Sequence, residues 1–112
     1  MKLFLATCVL LLGLGLSAHA QRIYVTENWG ERDVTVYVTE NWGEADLVVY
    51  VTQNWGESSG NDGTWYFTKN WGERDKAVYF TKNWGERDLA VYYTKNWGER
   101  GWRNTSKKHL FE

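Results

Sequence analysis

The pattern Tyr-x-Thr-x-Asn-Trp-Gly-Glu occurs six times in this chain, beginning at Tyr24, Tyr37, Tyr50, Tyr66, Tyr79 and Tyr92. The spacing is thirteen residues throughout, except for sixteen between Tyr50 and Tyr66. A period this short constrains the fold more than any other property. One small unit cannot bury a face alone, so its copies must supply the core to one another. The irregular interval contains Ser58-Ser59-Gly60-Asn61-Asp62-Gly63, which is turn chemistry. Residues 58–63 are therefore expected to bulge from a regular array and to tolerate shortening by three residues, because loop length costs little entropy.

Each unit offers one clear strand. Val34-Thr35-Val36-Tyr37-Val38-Thr39 is β-branched or aromatic throughout. Strand side chains alternate between faces. One face takes Ile23, Val36, Val49, Trp65, Val78 and Val91, together with Val25, Val38, Val51, Phe67, Phe80 and Tyr93. It is apolar in every unit and is the expected core. The opposite face takes the tyrosines and threonines. Asn-Trp-Gly-Glu then turns the chain, with Asn tolerating a left-handed backbone and Gly taking positive φ. No segment carries apolar residues at helical spacing over three turns.

Units of one sequence and one direction predict an all-β fold with parallel strands: a β-solenoid of six thirteen-residue coils, right-handed by the rule for parallel crossovers. An antiparallel β-meander is the alternative, disfavoured because the connections are long for hairpins. Residues 21–100 form the repeat domain. Residues 101–112 form a basic C-terminal tail or cap.

Residues 1–20 have a different character. Lys2 precedes an apolar run, and Ala18-His19-Ala20 supplies a small-residue cleavage pattern, so this segment reads as a cleaved signal peptide and the chain as secreted or extracytoplasmic. The sole cysteine, Cys8, lies within it, so the repeat domain is held without disulfides. With no second apolar run, no membrane association is expected after cleavage.

Residues 21–63 carry two basic against eight acidic side chains, and residues 64–112 ten basic against six acidic. This polarity argues against nucleic acid, which an acidic half would repel. In a stack of coils it predicts head-to-tail self-association.

The chemistry-bearing residues come as repeated copies, whereas an active site is one asymmetric set of unlike groups. The expectation is a non-enzymatic protein with no catalytic residues, cofactor or metal. The recurrent Glu and Asp have Arg32, Arg74, Arg87 and Arg100 beside them to neutralise their charge. The recurring Trp29, Trp42, Trp55, Trp71, Trp84 and Trp97, each preceded by Asn28, Asn41, Asn54, Asn70, Asn83 or Asn96, are the candidate ligand-binding residues. Flat indoles beside amides suit a glycan or a protein surface. The function expected is a structural or adhesive interaction module. A carbohydrate-binding module using the Trp/Asn ladder is the alternative, and a secreted effector or defence protein a further one.

The runs YVTENWGEADLVVYVTQNWGE and GTWYFTKNWGERDKAVYFTKNWGERDLAVYYTKNWGERGWRN, with SKKHLF at the end, resemble a family of short tandem-repeat proteins catalogued as a domain of unknown function. Its units run like VYVVDYRSEADLV, with an irregular insertion before a Trp-Tyr pair and a closing Gly-Trp-Arg-Asn and Lys-Lys tail. Gly101-Trp102-Arg103-Asn104 and Lys107-Lys108 match that ending. This chain departs from it where Glu-Asn-Trp-Gly or Lys-Asn-Trp-Gly replaces Asp-Tyr-Arg-Ser. The resemblance implies one compact repeat domain and transfers no activity.

Overall fold

The computed structural model describes residues 20–57 and 60–112. The proposed leader thus lies outside the described residues apart from Ala20, as do Ser58 and Ser59 of the insertion. Each repeat contributes one short strand: β1 Gln21–Val25, β2 Val34–Val38, β3 Leu47–Val51, β4 Thr64–Phe67, β5 Lys76–Thr81 and β6 Leu89–Tyr93. A two-residue strand, β7 (Gly101–Trp102), and a 3-10 segment, Thr105–Phe111, complete the chain.

The six repeat strands close into a ring in the order β1-β5-β2-β6-β3-β4 and back to β1, every pair parallel. The all-β, parallel, repeat-built architecture is the expected one, and the meander gives way to it. Its coils follow a ring. From β1 the chain advances two places to β2, two to β3, one to β4, then two to β5 and two to β6. The last three strands therefore fall between strands of the first three, and the single step occurs at the insertion. Closure leaves none of these six strands as an edge, the usual liability of a sheet. β7 pairs antiparallel with the start of β3.

Register builds the core in belts. The six ring pairs Val25–Val78, Phe80–Val36, Val38–Val91, Tyr93–Val49, Val51–Trp65 and Phe67–Ile23 each match one residue with the partner strand's residue two positions earlier in its repeat. A uniform advance of this size tilts the strands steeply and holds equivalent residues of all six units at one height. The middle belt is Ile23, Val36, Val49, Trp65, Val78 and Val91, all fully buried. Burial of such side chains contributes about 1.5–3 kcal/mol each. Val34, Leu47 and Leu89 lie buried at the end where the strands begin, and Phe111, Trp102 and Leu110 pack against this core. The third belt, at the end where the strands finish, is not buried as the apolar pattern predicts. Val25, Val38, Val51, Phe67 and Tyr93 each keep 36–42 % of their surface exposed. They form an open mouth.

Two local expectations are corrected. The Asn-Trp-Gly turn needs no left-handed backbone: Asn28, Asn41, Asn70, Asn83 and Asn96 are extended, and positive φ occurs only at Gly60, Gly63 and Gly101 among the described glycines. Each Trp-Gly-Glu is instead one 3-10 turn with the asparagine as its N-cap. The insertion, for its part, is no loose bulge. Gly60, Gly63 and Thr64 are buried, and the Gly63 carbonyl accepts from Tyr50 N–H at 2.9 Å. Asp62 pairs with Arg100 at 2.9 Å.

Candidate functional site

Every connection between successive ring strands except that from β3 to β4, which are neighbours, crosses outside the strand that lies between them in the ring. The repeated octapeptide is the device that makes and fastens this crossing. The asparagine Oδ1 accepts from the glycine N–H two residues on, at 2.9–3.2 Å in all six units. The threonine hydroxyl accepts from the asparagine N–H. It also donates to the glutamate carboxylate, as from Thr39 to Glu44 at 2.8 Å and from Thr94 to Glu99 at 2.7 Å. The turn is thus closed by its own side chains.

The aspartates bind across to the other lap. Ala77 N–H donates to Asp33 Oδ2 and Ala90 N–H to Asp46 Oδ2, while Arg22 and Thr35 N–H donate to Asp75 and Asp88, all at 2.7–2.8 Å. The aspartate N–H groups return the contact, as from Asp33 to the Ala77 carbonyl. Beneath four of the crossings the position is small and buried (Thr35, Val48, Ala77 and Ala90), and beneath the β4–β5 crossing it is the half-buried Arg22. The sequence pattern places the tyrosines and threonines on this outer face and the core on the other. The tell-tale of the crossings is the Ala, Thr or Val one residue before the middle-belt position.

The tryptophans form a collar around the ring. Trp71 meets Tyr24 edge-on at 5.2 Å, Trp29 meets Tyr79 at 5.4 Å and Trp84 meets Tyr37 at 5.2 Å. Each of these tyrosines belongs to the strand that the tryptophan's connection crosses. An arginine covers one face of every repeat tryptophan. Arg32, Arg74, Arg87 and Arg100, three residues on, lie 3.5–3.6 Å above Trp29, Trp71, Trp84 and Trp97. Units two and three have no such arginine, and the two ends of the repeat array supply it: Arg103 stands over Trp42 at 3.8 Å and Arg22 over Trp55 at 4.6 Å. Arg103 also donates to the Trp42 carbonyl at 3.0 Å, as Arg32 does to that of Trp29 at 2.9 Å. The structure therefore places the predicted Trp/Asn residues at six stations around the ring, with one indole face stacked and each asparagine oxygen committed to a cap. The outward indole edges stay exposed at Trp29, Trp42, Trp71, Trp84 and Trp97, Trp42 most at 53 %, and Trp55 is half-buried.

The mouth is the second candidate surface. Read round the ring, its belt runs Val25, Phe80, Val38, Tyr93, Val51, Phe67, small and large in strict alternation. Interleaving produces this, since the first lap carries valine and the second an aromatic. Two residues further on, the chain carries Glu27, Lys82, Glu40, Lys95, Gln53 and Lys69 in the same ring order, all exposed. Lys95, Lys69 and Gln53 line shallow crevices with Tyr93, Phe67 and Val51. The acidic and basic halves of the sequence thus alternate around one rim instead of forming two ends. Tyr93 lies edge-on to Trp65 at 6.4 Å, and burial pushes its phenol up to about 12.

The opposite end is closed by the tail. Phe111 is buried against Trp65 at 5.6 Å, Trp102 Nε1 donates to Asn61, and Lys107 Nζ donates to the Asp88 carbonyl at 2.8 Å. A cleft of about 380 Å³ remains there beside Arg22, Trp55, Asp75 and Phe111.

A family model described as the 7(1) septoil knot domain matches residues 20–103. No curated protein and no solved structure matches the chain. Protein connections rarely thread one another. Here the second lap runs between and beneath the crossings of the first, the path of a strand wound twice round a torus, and the chain belongs to the septoil knot domain family.

Proposed function

We propose that this chain is an exported, non-enzymatic interaction module that offers the barrel mouth as its contact face. The observation that carries the reading is the division of labour among its side chains. The recurrent threonines, asparagines and arginines are engaged in closing their turns, and the aspartates in fastening one lap to the other. The mouth, by contrast, holds large apolar side chains in the open within a charged rim. Exposed apolar patches rimmed by polar groups mark interaction sites. Export is supported by the apolar run and Ala-x-Ala pattern of residues 1–20.

The exposed tryptophan edges favour a second reading, carbohydrate binding on the collar. A glycan array combined with a sizing measurement separates the two. Protein-concentration-dependent association without glycan capture supports the mouth. Glycan capture that is lost on Trp71→Ala, with the fold intact by circular dichroism, moves the activity to the collar.

A further inference from the structure

We propose that the mouth binds a second copy of this chain, mouth to mouth, about a twofold axis. The inference rests on reading the chain as an interaction module and names its partner. The argument is self-complementarity. A twofold axis across the mouth turns one ring over onto the other, so each place on one rim meets a place on its copy. In every second angular setting, places from the first lap meet places from the second. With Glu27 over Lys82, Glu40 falls over Lys69 and Gln53 over Lys95, each pair occurring twice, and no like charges face one another. The same setting brings Val25 over Phe80, Val38 over Phe67 and Val51 over Tyr93, small against large throughout. The intervening settings put acid on acid and base on base, so charge selects the register.

Head-to-tail stacking, expected from the sequence, depends on open coil edges and on charge separated along the molecule. The closed ring and the alternating rim favour the isologous contact instead.

The test is sedimentation of the whole exported chain across a wide concentration range at low and high salt. The wild type is expected to shift toward twice the monomer mass at low salt and back at high salt. Lys69→Glu, Lys82→Glu and Lys95→Glu together make an all-acidic rim and should weaken association by at least about tenfold. Glu27→Lys, Glu40→Lys and Gln53→Lys together make an all-basic rim and should do the same. An equimolar mixture of the two should regain the dimer, a result that neither misfolded variant could give. A wild type that stays monomeric throughout overturns the proposal, as does an all-acidic variant that dimerises like the wild type. A monomeric wild type that still captures a glycan or another protein leaves the interaction role standing and removes only the partner.

Discussion

Gly63 and Gly101 both take positive φ, at +93° and +146°, yet alanine should cost them very different amounts. A Cβ on Gly101 meets nothing within 4 Å, so Gly101→Ala carries only the backbone strain of an L-residue in this region, about 1–2 kcal/mol. A Cβ on Gly63 would lie 2.6 Å from the Val48 carbonyl oxygen and 2.9 Å from Gly101 N. Both are backbone atoms of strands paired to each other, and Gly63 itself holds Tyr50 N–H. Relief requires moving β3 or β7, which adds about 1–3 kcal/mol. Gly63→Ala should therefore cost roughly 2–5 kcal/mol in all. Urea unfolding followed by tryptophan fluorescence, with m-values compared, measures both variants. Equal costs at the two glycines would refute the close packing of the insertion against β3 and β7.

Arg103→Gln removes the stacked cation from Trp42 and two hydrogen bonds, to the Trp42 and Ala45 carbonyls, and should cost about 1–3 kcal/mol in the same assay. The ordinary phenol pKa is near 10 and burial raises that of Tyr93 to about 12, so its neutral form favours the fold and stability should fall as pH rises from about 10 through about 12. Tyr93 keeps 36 % exposure, which keeps the loss below its full value, and Tyr93→Phe should flatten that part of an alkaline unfolding curve. Asn104 heads a formal glycosylation sequon, but its Nδ2 donates to Asp46 Oδ1 at 3.1 Å and its Oδ1 caps the tail segment. Asn104→Ala should cost about 0.5–2 kcal/mol, and mass spectrometry of the folded protein from a glycosylating host should find Asn104 unmodified. Deleting three residues from 58–63 should abolish cooperative unfolding instead of being absorbed, contrary to the sequence expectation, because Gly60 and Gly63 are buried and Gly63 packs against the backbone of β3 and β7.

The strands, their parallel direction and the middle belt were legible because alternation within a unit reports which face is apolar. The ring order was not. Six near-identical units pair equally well with any neighbour as far as side-chain pattern goes, so the repeat does not say whether β1 lies beside β2 or β5. What distinguishes these arrangements is long-range: Asp33 to Ala77, Asp88 to Thr35, and the small residues beneath most of the crossings. The octapeptide looked like a ligand-binding ladder for the same reason. Exposed Trp beside Asn has one appearance in sequence whether it faces a sugar or fastens a turn. The stacked arginines and the cap geometry add the fastening role, which the sequence pattern does not display. The departures from the repeat were the better guides. Units two and three lack the arginine after Trp-Gly-Glu, and Arg103 and Arg22 fill those two places.

The insertion completes the answer to why the period is broken once. In a ring of six places, steps of two return to the starting strand after three units. A perfectly regular chain would therefore bring its fourth strand onto its first, closing a three-place lap that no second lap could enter. One single step is needed to move the second lap into the gaps left by the first, and it must fall between the third and fourth strands. The irregular spacing between Tyr50 and Tyr66 lies there, where β3 pairs directly with β4. The change from acidic to basic units, and from valine to aromatic at the mouth, falls at the same point in the sequence. What looks like two unlike halves in sequence thus becomes alternation in space: small beside large inside the mouth, acid beside base around it. A single displaced step converts order along the chain into order around the ring, and it gives the mouth the pattern by which one copy can fit another.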